Sequence, residues 1–242
     1  GLAAHHASQD PDRFASTLDW AVKLTIIVVL PATLALLLLA GPLTVAIFHY
    51  GRFDEHDVHM STLALMAYSL GLLGFSMVKV LAPGFFARQD TRTPVRIGIQ
   101  SLVLSMALNV AVVLPLAFIY PGRPGLHALL ALNTGLGAWF NATMLYRGLR
   151  KQHVLHHSPG WARTLWQVLA GNVAMGLFLW LVAGDTQRWI EMDAWRRVGW
   201  MAVLVVGGAG IYFGTLYVLG MRLGHLRVQR VTVPPRPVDL PP

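Results

Sequence analysis

Residues 20–40 read WAVKLTIIVVLPATLALLLLA, with Lys23 the one charged side chain in the stretch. A helix needs about 20 mostly apolar residues to cross the hydrocarbon of a bilayer. This run meets that length unaided. Five more runs follow it, at about residues 63–86, 97–119, 126–146, 165–183 and 198–219. None alternates apolar and polar residues strictly, so a membrane barrel is disfavoured. Backbone polar groups in lipid must be satisfied within the segment, and helices do this. The expected fold class is all-α, a polytopic transmembrane helical bundle of about six membrane-spanning helices.

The composition points the same way. The 242 residues are 55% hydrophobic and only 12% charged, and none is cysteine. Mean hydropathy is +0.55. Soluble domains carry about 25% charged residues. A soluble enzyme, a disordered chain and a disulfide-stapled secreted domain are thereby excluded. Lys and Arg outnumber Asp and Glu by 19 to 11, a net charge of +8. In a membrane protein such an excess marks cytoplasmic loops beside anionic lipid, so no nucleic-acid partner is expected.

The basic residues sort by side. Arg13 and Lys23, then Arg88, Arg92 and Arg96, then Arg147, Arg150, Lys151 and Arg163, and finally Arg222, Arg227, Arg230 and Arg236 fall on one side of the six runs. Only Arg52, Arg123, Arg188, Arg196 and Arg197 fall opposite, and Lys79 lies inside a run. The positive-inside rule then predicts both ends to be cytoplasmic. Asp10-Pro11 has the form of a helix start, with Asp10 as N-cap and Pro11 in the first turn. The chain opens on Gly1 and not Met, so the later part of a longer protein is expected. The closing VPPRPVDLPP is expected to be a disordered tail.

Within the runs, Pro31 and Pro83 each remove a backbone hydrogen bond, with an ordinary kink as the expected outcome. Gly210 and Gly214 have GxxxG spacing and predict close helix packing. All eleven carboxylates fall outside the runs, so no intramembrane acidic relay is expected. Asn109, Asn133, Asn141 and Asn172 lie within runs and are read first as interhelical hydrogen-bond partners. Leu177, Leu179, Leu181, Val203 and Val206 are read as lipid-exposed in preference to lining a groove. His49, His56 and His59 cluster on one side and His153, His156 and His157 on the other. Neither group has the pattern of a zinc site, so no metal and no cofactor is expected. With no P-loop, GxGxxG or triad order either, there are no catalytic residues and an enzyme is not expected.

Lys79, in LLGFSMVKVLAPGFF, stands out. A charge at the centre of a span costs about 2.5–3.5 kcal/mol on insertion scales. Two readings stand. Its ammonium snorkels toward the inner headgroups, or it faces a wet cavity and attracts an anionic ligand.

GPLTVAIFHYGRFDEHDV (residues 41–58) leads into AYSLGLLGFSMVKVLAPGFFARQDTRTPVRIGI (residues 67–99). The GPL…YG.F segment, the AY..GL.G run, KVL.PGF.A and the DT.TPV turn, in this order, closely resemble the MurJ/MviN family of lipid II flippases. That family belongs to the multidrug/oligosaccharidyl-lipid/polysaccharide exporter superfamily. Asn109 and the Leu149-Arg150 pair also fit. The resemblance implies the last four helices of a C-terminal lobe over residues 20–160 and two additional helices over residues 161–225. A cytoplasmic lead-in over residues 1–19 and a Pro-rich cytoplasmic tail over residues 226–242 would flank them. It implies that lipid II, the undecaprenyl-pyrophosphate-linked disaccharide-peptide, moves to the periplasmic leaflet of the bacterial inner membrane by alternating access. Partners would be lipid II, membrane lipids and the missing N-terminal helices of the same protein. Lys79 matches the family's KVL.PGF lysine and is the substrate-binding cavity residue carried over, with Asn109 a polar residue of the cavity or of packing. The alternatives are another polysaccharide-lipid or drug exporter of the superfamily, or a non-transporting membrane scaffold subunit.

Overall fold

The computed structural model describes residues 11–51, 53–120, 125–155 and 160–221. The Asp10 cap, Arg52, Arg123, His156, His157 and the Pro-rich tail with its arginines lie outside the described residues. The elements are α1 (Pro11–Leu38), α2 (Ala40–Phe48), α3 (Glu55–Phe86) and α4 (Arg92–Leu108). A π-turn over Asn109–Val113 joins α4 to α5 (Leu114–Ile119). Then come α6 (Leu126–Lys151), α7 (Trp161–Ala183), the short α8 (Thr186–Ile190) and α9 (Ala194–Val218). Described residues outside these helices form turns and short connections, with no strand among them.

Five of these helical segments are long and apolar enough to cross a membrane: Phe14–Leu38, Glu55–Phe86, Arg92–Ile119, Trp161–Ala183 and Ala194–Val218. The fourth expected run is helical too, as α6, but less apolar, and it buries Asn133, Gly135 and Gly137. Residues 41–48, expected within a connection, instead form α2. Only Leu39 separates it from α1, since GPLTVAIF contains nothing but a first-turn proline to interrupt a helix.

Local chemistry fixes the ends. The Asp54 carboxylate accepts the Asp57 N–H at 2.9 Å and the Asp57 carboxylate accepts the Asp54 N–H at 3.3 Å, a reciprocal cap for α3. Gly160 and Gly184 bound α7 with φ of 95° and 66°, where a side chain would be strained. On the loop before α4, Asp90 accepts the Thr93 N–H at 3.0 Å. Hydrogen bonds from Thr93 hold the Asp90 carboxyl below the ordinary carboxylate value.

Packing relies on small residues. A Cβ at Gly71 of α3 would stand 2.6 Å from the Gly135 Cα of α6, and one at Gly74 would stand 2.9 Å from the Trp139 nitrogen. In lipid, where apolar burial no longer drives association, this close approach supplies van der Waals contact between helices. Between α4 and α6, Ser101 donates to the Gly137 carbonyl at 2.6 Å, and Asn133 donates to Asn109 Oδ1 at 2.9 Å. One apolar cluster joins α1, α3 and α6 through Leu18, Val22, Met77, Leu81, Phe85 and Leu145. A second joins α1 and α2 to α7, α8 and α9 through Ile27, Val45, Leu179, Trp189, Leu204 and Tyr212. Helix α1 is common to both.

Four sequence expectations change. Gly210 and Gly214 meet nothing within 4 Å; the contact between α7 and α9 is made at Gly171 on Tyr212, Gly207 on Phe178 and Gly208 on Leu179. Leu204, Gly208, Tyr212 and Leu216 recur every four residues and form the inward stripe, so Gly210 and Gly214 fall on another face. Leu179 is accordingly buried, whereas Leu177, Leu181, Val203 and Val206 are exposed. Asp19 lies inside α1 and is buried, with its carboxylate 3.3 Å from the Lys23 ammonium and accepting from the Trp161 indole at 2.8 Å. That pairing is what makes a buried carboxylate tolerable. Arg197, assigned to a loop by sequence, is buried in α9.

Candidate functional site

Lys79 lies on α3, two residues from Met77 and Leu81 on either side. At 100° per residue each stands about 200° around the helix from it. Met77 and Leu81 are buried in the α1–α3–α6 cluster, so Lys79 points away from it and is exposed. It makes no hydrogen bond or ion pair with any described residue. Its helix continues for two turns toward the connection that holds Arg88 and leads to Arg92 and Arg96 at the start of α4.

Pro83 adds to this position. It has no N–H, so the Lys79 carbonyl four residues back lacks its helical donor. Pro31 does the same to the Ile27 carbonyl, and there the gap is filled: the Tyr212 hydroxyl of α9 donates to it at 2.7 Å.

Further along the same face, the rings of Tyr68 and Phe75 stack at a centroid distance of 5.3 Å with 26° between planes. The opposite face of α3 has a different character. A crevice of about 480 Å³ opens there between α1, α3, α6 and α7. Val22, Ile26, Met77, Leu81, Trp139 and Trp161 line it, and no charged side chain does. Among the described residues of α3 itself, the cation that could meet an anionic head is Lys79, on the face away from this crevice.

Asn109 sits at the start of the π-turn and its side-chain oxygen accepts from Asn133, so its geometry here is that of a link between helices. The structure does not bring it together with Lys79 through any hydrogen bond. Among the described residues no three His, Asp or Glu side chains converge as metal ligands would.

Arg197 was missed by sequence reasoning. Its guanidinium donates to the carbonyls of Trp189 at 2.9 Å, Ile190 at 2.8 Å and His49 at 3.0 Å, and lies over the Tyr50 ring. These carbonyls close the C-terminal ends of α8 and α2, where helices leave acceptors without donors. Arg197 thus fastens α9 to both. A charge just before an apolar run gave no sign of this.

A family model described as Lipid II flippase MurJ matches residues 1–198. The chain is 37% identical over 231 residues to the Probable lipid II flippase MurJ of Haemophilus influenzae, covering 93% of this chain and 43% of the relative. It is 37% identical over 227 residues to the Lipid II flippase MurJ of Burkholderia cenocepacia, covering 93% and 42%. A solved structure described as Lipid II flippase MurJ, inward closed conformation, superimposes with a TM-score of 0.65 at 16% identity, over 90% of this chain and 41% of that one. That likeness concerns the fold. The chain spans less than half the length of each of these relatives.

Proposed function

We propose that this chain, which belongs to the lipid II flippase MurJ family, is the C-terminal portion of a flippase carrying lipid II from the cytoplasmic to the periplasmic leaflet. The domain boundaries are those read from the sequence: four lobe helices over residues 20–160 and two additional helices over residues 161–225. Both ends are cytoplasmic, in a bacterial inner membrane, and the N-terminal helices of the same protein complete the cavity. The match of residues 1–198 to the family carries the reading, and the position of Lys79 supplies its site.

The work is transport, and the obstacle is desolvation. A pyrophosphate and a sugar-peptide head cannot enter hydrocarbon without a large loss of hydration. A fixed ammonium in a partly dehydrated cavity offsets that loss, because charge-assisted hydrogen bonds strengthen as the local dielectric falls. Lys79 meets the requirement because no carboxylate among the described residues neutralises it. The Lys79 carbonyl freed by Pro83 adds an acceptor for a hydroxyl or amide of the same head. Alternating access then needs the lobe to move against the missing half while its own helices stay packed.

The test is complementation by the full-length protein in cells depleted of their own flippase. Lys79→Gln is expected to abolish rescue at normal membrane levels, and Lys79→Arg to retain part of it. Full rescue by Lys79→Gln overturns the assignment of Lys79 to the cavity.

A further inference from the structure

We propose that Tyr68 and Phe75 form an aromatic platform for a sugar ring of a polyprenyl-pyrophosphate-linked saccharide whose phosphates are held by Lys79. The proposal rests on the flippase reading and adds to it the part of the site that recognises the glycan.

The first observation is placement. Tyr68 precedes Lys79 by eleven residues, which returns it to within about 20° of the lysine around α3, and Phe75 precedes it by one turn, about 6 Å along the axis. All three share the face turned away from the α1–α3–α6 cluster. The second is construction. Rings seven residues apart start about 10 Å from each other along the helix, yet these two stack at 5.3 Å. They fold toward each other across Gly71, whose missing side chain makes the room: a Cβ there would stand 2.9 Å from Phe75 Cε2.

The third observation is the polarity of this face. Tyr68 is 49% exposed and its hydroxyl has no hydrogen-bond partner among the described residues. It lies toward the start of the apolar run of residues 63–86. A phenol with no partner among the described residues, on the same face as an ammonium that also has none there, matches a polar, anionic occupant.

The occupant follows from the chemistry of the face. The first sugar of such a lipid is bonded directly to the pyrophosphate, so phosphates at Lys79 bring that sugar within a turn of Phe75. The C–H face of a sugar is weakly positive and apolar, and it matches the negative face of an aromatic ring. The Tyr68 hydroxyl is then free to pair with a sugar hydroxyl.

The experiment uses the full-length protein in nanodiscs and two probes: undecaprenyl pyrophosphate bearing its disaccharide, and bare undecaprenyl pyrophosphate. The double variant Tyr68→Leu/Phe75→Leu is expected to bind the disaccharide lipid about tenfold more weakly and the bare lipid unchanged. Phe75→Trp is expected to preserve both affinities and serves as the folding control. Equal weakening for both probes, as lipid-facing or purely structural rings would give, overturns the platform. So does no change for either. Lys79→Gln is expected to weaken both probes. If it weakens neither while the aromatic pair still discriminates, the cationic anchor is overturned and the aromatic contact with the glycan is upheld.

Discussion

The Tyr212 hydroxyl donates to the Ile27 carbonyl at 2.7 Å, and Ile27 is the residue whose helical donor Pro31 removes. One proline in α1 has thereby become an attachment point for α9. Tyr212 is 1% exposed and rests against Gly171 of α7 as well. Replacing Tyr212 by Phe leaves a buried carbonyl without a donor, at a cost of about 1–3 kcal/mol. Adding Pro31→Ala restores the helical N–H and is expected to recover most of the loss. A double-mutant cycle on thermal unfolding of the full-length protein in detergent checks this, and additive losses would contradict it.

Arg197 secures the other end of α9, to α8 and α2. Its three bonds to the carbonyls of Trp189, Ile190 and His49 are charge-assisted, that to Trp189 buried and the other two partly so. Arg197→Gln is expected to destabilise by at least about 2 kcal/mol. Amide hydrogen exchange over residues 186–190 is expected to rise by more than ten-fold, with no comparable change over residues 67–85. Unchanged protection of residues 186–190 would contradict the role given to this side chain.

Gly74 and Gly210 form a matched pair. A Cβ at Gly74 would meet the backbone of Trp139 and Ala138 at 2.9 and 3.0 Å, whereas one at Gly210 meets nothing within 4 Å. Gly74→Ala is expected to cost roughly 1–3 kcal/mol by forcing α3 and α6 apart. Gly210→Ala is expected to be neutral or mildly stabilising, as glycine is a poor helix former. Melting temperatures of the two variants decide between this assignment and the GxxxG spacing in the sequence.

Asp90 makes the α4 start sensitive to acid. Its pKa is lowered in the fold, chiefly by hydrogen bonds from Thr93. Its contribution is therefore fully present above the ordinary carboxylate pKa and is lost as pH falls through the lowered value. Exchange protection of residues 92–96 is expected to hold from pH 7 to pH 5 and to fall at more acidic pH. Asp90→Ala is expected to remove that dependence.

The helices themselves were legible because hydropathy and length are properties of a single run. What joins them was not. Pro31 announces a carbonyl without a donor, but nothing in the sequence names Tyr212, far along the chain, as the partner. Asp19 reads as lying outside the first span; its partner Lys23 is four residues on and visible in the sequence, whereas its partner Trp161 is brought near only by folding. Gly210 and Gly214 had the right spacing on the wrong face; Leu204, Gly208, Tyr212 and Leu216, read together, give the register that turns them outward. Lys79 was conspicuous as a charge within an apolar run. That Pro83 also frees its carbonyl follows from the four-residue spacing, whereas the Tyr68–Phe75 stack required coordinates.

The environment of Lys79 bears most weight and is directly measurable. The chain contains no cysteine, so Lys79→Cys in an otherwise cysteine-free full-length protein places one thiol at that position. In native membranes a membrane-impermeant, charged thiol reagent is expected to label it. Reaction only with lipophilic reagents would mean that the position faces acyl chains and would contradict the account.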